Sequence, residues 1–285
     1  MDKFTQFYES PAATFTDFSD EAADFSRDTF AIPLPTGANE YYYIGLPKEF
    51  YYFYVELSVA NTNAANLTLE YYHEDNAAWT ELTFKDETQG FTRNGFIRFD
   101  KPEDTSNLNS LWGEVAVNSS TKFWIRISTD TSFSAGTVGQ GIGLVFSDDN
   151  DLIEERGNIV SKHAPSNGSW INKHVAAKKE IIQRLRNKGN RKTTMDNKRF
   201  GDIDEFDLLE FEQVRAASKF LALSKIFCQE LSDAEDDKWF QLGKKFEVSY
   251  EDAFNTFFLS LDLDDDGVLD SEEELSTTRI DLVIP

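Results

Sequence analysis

Residues 41–84 read "YYYIGLPKEFYYFYVELSVANTNAANLTLEYYHEDNAAWTELTF", a series of aromatic and β-branched runs cut by Pro, Asn and Asp. Runs this short, bounded by turn formers, predict strands rather than helices. In "LTLEYY" the alternation sends Leu67, Leu69 and Tyr71 to one face and Thr68 and Glu70 to the other, as a half-buried antiparallel strand requires. Downstream, "GFIRFD", "FWIRIS" and "GIGLVF" continue the pattern. The seven runs together predict a β-sandwich over residues 37–155. Packing in the core and at the edges is the simplest role for Trp79, Trp112, Trp124 and the tyrosines; stacking of sugars on exposed rings is the alternative.

Upstream, residues 1–36 alternate acids with isolated rings: Phe4, Phe7, Tyr8, Phe15, Phe18, Phe25 and Phe30. The segment is too sparse for a core of its own and predicts an extended arm whose rings anchor on another surface.

After residue 156 the period changes. "SWINKHVAAKKEIIQRLRNKG" has Ser169 as N-cap, an apolar stripe through Ile171, Val175, Ile182 and Leu185, and Gly189 as a stop. A second helix is expected over 203–232, carrying Phe206, Leu209, Val214, Ala217, Leu221 and Ile226, and a third over 234–261, opening on acids suited to a helix N-terminus. Short connections join these into a small bundle over 156–261.

That bundle runs into "DLDDDGVLDSEE", residues 262–273. The twelve-residue EF-hand loop needs oxygen ligands at positions one, three, five, seven, nine and twelve, and Gly at six. Asp262, Asp264, Asp266, the Val268 carbonyl, Asp270 and Glu273 fill the ligand positions, and Gly267 makes the turn. These residues predict a calcium site. Tyr250, Ala253, Phe254, Phe257, Phe258 and Leu261 predict an entering helix, but the tail "EELSTTRIDLVIP" alternates Ile280, Leu282 and Ile284 like a strand. With one loop and no exiting helix, the expected ion is a structural clip rather than a sensor. The whole reads as an α+β multidomain chain: arm 1–36, antiparallel sandwich 37–155, helical domain 156–261, single EF-hand-like calcium loop 262–273 and extended tail 274–285.

The chain of 285 residues carries a formal charge of −23. That balance opposes general affinity for nucleic acid, whose phosphates attract cationic surfaces. One cysteine, Cys228, excludes an internal disulfide framework and fits assembly in a reducing cytoplasm. The first fifteen residues contain no continuous apolar run, so neither a signal peptide nor a membrane span is expected. Against this acidity stands a basic island: Lys173, Lys178, Lys179, Arg184, Arg186, Lys188, Arg191, Lys192, Lys198 and Arg199 face only Glu180 and Asp196. It reads as a contact with an acidic neighbour or with DNA phosphate, as complementary packing between copies, or as a solvated helix face. No nucleophile elbow, phosphate-binding glycine loop, HExxH or paired cysteines occur, and His73, His163 and His174 lack neighbours at ligand spacing. The expectation is a protein that is not an enzyme.

Two stretches resemble known proteins. Tyr43-Ile44-Gly45, the Asn-rich turn at 61–66, "LEY" at 69–71, "DETQGFT" at 86–92 and "WIR" at 124–126 resemble a β-sandwich module of tailed-bacteriophage virion proteins. The helical part, with "DDKW" at 236–239 and its Asp-rich end, is similar to the head-to-tail adaptor, or connector, proteins of such phages. The resemblance implies a virion protein of the neck, assembled in the host cytoplasm as a homo-oligomeric ring of about twelve copies. Its implied partners are the portal protein and the next neck or tail protein, with genomic DNA passing without specific binding and no membrane involved. A tail or baseplate component and a calcium-dependent carbohydrate-binding adhesin are the alternatives.

Overall fold

The computed structural model describes residues 6–10, 15–23, 25, 30–31, 41–100, 102, 111–134, 136–165, 168–187, 191–193, 200–205, 208, 212–233, 237–256, 258–260 and 274–276. The chain divides into two compact units, Met1–Leu144 and Val145–Pro285. It is a mixed α/β protein whose sheets are antiparallel.

The first unit contains β1 (Gln6–Ser10), β2 (Thr16–Asp17), α1 (Ser19–Ala23), β3 (Phe30–Ala31), β4 (Tyr41–Leu46), β5 (Tyr52–Val59), β6 (Leu67–His73), β7 (Ala78–Glu81), β8 (Phe84–Asp86), β9 (Gly95–Phe99), β10 (Glu114–Val117), β11 (Ser120–Thr129) and β12 (Val138–Gly143). One sheet runs β2-β1-β4-β11-β6-β7, with β10 also paired to β11; the other runs β3-β12-β5-β9-β8. Trp112 joins them. Its ring lies 5.9 Å from Phe99 of β9, 6.4 Å from Tyr71 of β6 and 6.0 Å from Phe123 of β11. Phe133 continues the core, stacked on Tyr42 at 6.2 Å and 5.1 Å from Phe91.

Each of the seven sequence runs contributes to a strand, with two adjustments. "WTELTF" is split between β7 and β8, which belong to different sheets. "GIGLVF" begins inside β12, and the unit boundary follows Leu144, so Asp149–Glu155, expected at the end of the sandwich, is a helix of the second unit. β10 was not anticipated. It folds back on β11 through Asn118 and Ser119, both at positive φ (46° and 66°), the pair of left-handed residues that matches a tight hairpin to strand twist.

The arm finds its surface on its own unit. β1 pairs antiparallel with β4, and β3 with β12, so arm strands extend both sheets. Ala22 and Phe25 are buried, and the Phe25 ring lies over Gly141 and 6.3 Å from Tyr54. Two exposed edges are thereby covered.

The second unit contains α2 (Asp149–Glu155), α3 (Ile159–His163), α4 (Ile171–Asn187), β13 (Arg191–Thr193), β14 (Phe200–Asp202), α5 (Glu212–Lys225), α6 (Lys238–Thr256), β15 (Phe258–Ser260) and β16 (Glu274–Ser276). Just before α4, the Ser169 Oγ accepts from the Ile171 N–H at 3.1 Å, while the Trp170 carbonyl accepts the first helical bonds. The buried face of α4 is Ile171, His174, Ala177, Ile181, Ile182 and Leu185; His174 takes the place expected for Val175. The second helix starts at Glu212, not at 203, where Ile203 and Leu208 are buried outside any helix; Phe206 and Leu209 lie outside the described residues. It ends in a π-helical turn, Ile226–Glu230. α6 runs antiparallel to it, because Phe220 stacks on Phe246 while Phe227 stacks on Trp239.

The third helix is shorter than its apolar spacing suggested. α6 stops at Thr256, and β15 pairs antiparallel with β16, Ser260 opposite Glu274. The segment expected to bind calcium is therefore flanked by two strands, not by the entering helix of an EF-hand.

Candidate functional site

The basic island has partners inside its own unit. Lys173 on α4 meets Glu230, Lys178 meets Glu205 at 2.9 Å, and Arg184 makes a two-pronged pair with Glu251 of α6. The Arg186 Nε donates to the Ile203 carbonyl. On α5, Arg215, Lys219 and Lys225 meet Asp151, Glu155 and Glu180. Burial alone would raise the Glu205 carboxyl, and the Lys178 ammonium overrides it, leaving the acid below its usual range. The hydrogen bonds Arg184 donates to Glu251 raise its guanidinium despite partial burial, and the group also lies 4.3 Å from the Phe254 ring centre. Partly exposed pairs each contribute at most about 1 kcal/mol. Their larger effect is on the surface, where Lys173, Lys178 and Arg184 of α4 and Arg215, Lys219 and Lys225 of α5 are neutralised internally. Lys188, Lys198 and Arg199 lie outside the described residues, and Arg191 and Lys192 are described by backbone only.

A second cluster has the outline of a hydrolase triad. Ser147 Oγ is 2.8 Å from His174 Nδ1, and His174 Nε2 is 3.3 Å from Asp149 Oδ1. Ser147 Oγ is also 2.7 Å from Ser218 Oγ of α5. Ser147, His174 and Ser218 are each 0% exposed, so the oxygen has no route to a substrate in this conformation. The hydrogen bonds instead tie the loop before α2 to α4 and α5. Ser147 and Asp149 are neighbours in the chain, but His174 and Ser218 lie 27 and 71 residues beyond Ser147, so no local pattern joins the group.

Beside them, Asp148 caps α2 in a reciprocal box with Asp151, and Arg215 covers Asp151 at 2.9 Å. Burial, then repulsion from Asp151, pushes the Asp148 carboxyl up to about 6 from 3.8, with His174 opposing. A carboxyl raised on folding stabilises the protein fully below its unfolded value, and that contribution is lost as pH rises through the folded value. Asp148→Asn keeps a capping oxygen and never ionises. The variant should match the parent near pH 4 and exceed it at pH 7 by up to about 3 kcal/mol. Urea unfolding at several pH values measures the difference; equal pH dependence in both proteins contradicts this account of Asp148.

The outward face of the first sheet carries Tyr41, Tyr43, Trp79, Trp124, Arg126 and Glu70. Trp124 sits opposite Gly45, where a Cβ would be 2.4 Å from its ring, and its Nε1 donates to the Val115 carbonyl. Arg126 is 4.2 Å from the Tyr41 ring centre and 4.7 Å from that of Trp79, and holds Glu70 through two bonds of 2.7 Å. Burial raises Tyr43, and Glu70 raises Arg126 against the opposing effect of burial. Cation and rings occupy one another, which favours packing over a sugar platform here.

The turn "DETQGFT" is a structural latch. Asp86 accepts from the Thr88 N–H, the Thr88 hydroxyl and the Gly90 N–H at 2.6–2.7 Å. Asn61 donates to the Gly90 carbonyl and accepts from Ser134 N–H. The chain reverses through Gln89, Gly90 and Phe91, all at positive φ, and delivers Phe91 to the core.

Asp262, Asp264, Asp266, Val268, Asp270 and Glu273 all lie outside the described residues, as do 277–285 of the tail. Their flanks are described: β15 and β16 bring residues 260 and 274 opposite each other. Among the described residues no group of His, Cys, Asp or Glu forms a metal site, and no helix is long and apolar enough to cross a membrane. Cys228 is a half-buried free thiol, its Sγ 3.8 Å from the Phe240 carbonyl. No protein-family model and no curated protein matches this chain.

Proposed function

We propose that this chain is a structural protein of a tailed-phage virion, a head-to-tail adaptor whose homo-oligomeric ring joins the portal to the tail and surrounds the exit path of the DNA. The observation that supports the proposal is the internal neutralisation of six cations of α4 and α5, Lys173, Lys178, Arg184, Arg215, Lys219 and Lys225. A chain of net charge −23 with its basic helices so occupied offers passing phosphates repulsion rather than counterion-releasing contacts. In this reading the two sheets of the first unit form a β-sandwich module, and the protein has no catalytic role. Light scattering of the purified protein tests it. A species of about twelve copies that fails to retain duplex DNA at low salt supports the neck. Trimers or sixfold assemblies point to a tail or baseplate component, and a glycan-binding monomer points to the adhesin.

Calcium belongs to the same proposal, as a clip between β15 and β16 held by Asp262, Asp264, Asp266, the Val268 carbonyl, Asp270 and Glu273. Strands that pin the ends of the loop lower the entropy lost when ligands converge. Calcium at a hundredfold excess over its Kd should stabilise the protein by about 2.7 kcal/mol, removable by chelator. Identical unfolding in calcium and chelator, with no heat of binding, contradicts the clip.

A further inference from the structure

We infer that a shallow groove on α6, lined by Lys238, Trp239, Gln241, Leu242 and Lys245, receives an acidic surface of a second copy of this chain. The inference rests on the ring reading and places one face of the subunit contact. It also moves the basic contribution away from α4, whose described cations, apart from Lys179, are already engaged.

Lys238, Gln241, Lys245 and Val248 recur at intervals of three, four and three, so they share one stripe of the helix. All four are exposed, Val248 by 61%. The groove has a rigid wall. Trp239 lies parallel to Phe227 at 5.7 Å and edge-on to His163 at 5.6 Å, so it loses little freedom when a partner arrives. Lys238 Nζ sits 4.8 Å from the Trp239 ring centre. Among the described residues neither Lys238 nor Lys245 meets a carboxylate, whereas neighbouring Lys244 is paired with Glu247.

Charge selects the occupant. The chain carries 51 acidic against 28 basic side chains, so another copy presents negative surface in most orientations. Attraction between exposed charges reaches only about 8–10 Å in ordinary salt, which makes unpaired cations local markers of where such a surface binds. Two lysines within so acidic a chain are a weak basis for holding a nucleic acid, whose binding grows with the number of phosphates neutralised.

The test is Lys238→Glu with Lys245→Glu, and Lys238→Gln with Lys245→Gln as a milder pair. Thermal unfolding of the dissociated protein should be unchanged, because both side chains are exposed. In mass photometry at low salt, the Glu pair should need roughly tenfold more protein to reach half assembly, the Gln pair less, and the wild type alone should show strong weakening by added salt. Folded variants that assemble like the wild type overturn the groove and leave the ring standing. A wild type that stays monomeric overturns both. Loss of DNA retention with assembly intact overturns the groove as a subunit contact and assigns it to nucleic acid.

Discussion

Trp112→Ala should destabilise the first unit by about 3–5 kcal/mol, the range for deleting a large aromatic from a packed core. Trp112 is 2% exposed, and its ring meets Phe50 at 5.0 Å as well as Phe99, Tyr71 and Phe123. These neighbours come from both sheets, so the cavity left by Ala opens between layers that cannot both collapse into it. A loss that large is a substantial part of the stability of an ordinary domain. Chemical unfolding followed by tyrosine and tryptophan emission measures it. A change below about 1 kcal/mol would contradict the assignment of Trp112 to the junction of the sheets.

Gly90→Val should cost at least about 4 kcal/mol, combining left-handed backbone strain with overpacking. Torsion alone does not set Gly90 apart. Gln89 and Phe91 hold φ values of 53° and 63° with side chains in place, while Gly90 is at 69°. What distinguishes it is space: a Cβ at Gly90 would lie 2.1 Å from the Ala65 carbonyl oxygen. That oxygen belongs to the backbone and cannot rotate away, so the turn would have to move, taking the Asp86 bonds and Phe91 with it. The loss should be read against Gly136→Ala, where no atom lies within 4 Å of the added Cβ and only the torsional cost remains. Equal losses at the two positions would contradict the steric account.

The strands were legible because a half-buried sheet imposes a two-residue alternation that local sequence displays. In β6, Leu69 and Tyr71 are buried while Thr68 and Glu70 are half-buried, as the alternation requires, although Leu67 at the strand's start is half-buried too. The arm was read as seeking a surface, but not which one. Its pairing depends on edges supplied by β4 and β12, and no feature of "FYES" or "FA" names those partners. The end of α6 was misread for a related reason. Phe257, Phe258 and Leu261 keep helical spacing, yet Phe258–Ser260 pairs with a strand sixteen residues further on, and pairing at that distance overrides local periodicity.

The same division applies to the candidate site. The basic island was visible as composition, but the pairing of Lys173, Lys178 and Arg184 with Glu230, Glu205 and Glu251 of their own unit is a long-range matter that composition does not display. The group of buried Ser147, His174 and Ser218 with half-buried Asp149 left only a capping pattern around "SDDND". The α6 groove was hidden for the opposite reason: Lys238 and Lys245 are unremarkable until Lys173, Lys178 and Arg184 prove to be occupied.

Rotational symmetry tests the central claim most directly. End-on images of the purified protein in negative stain, alone and with a portal, should show closed rings of about twelve subunits around an open centre, docked coaxially on the portal when it is present. Monomers, trimers or sixfold assemblies that leave the portal bare would contradict the adaptor reading.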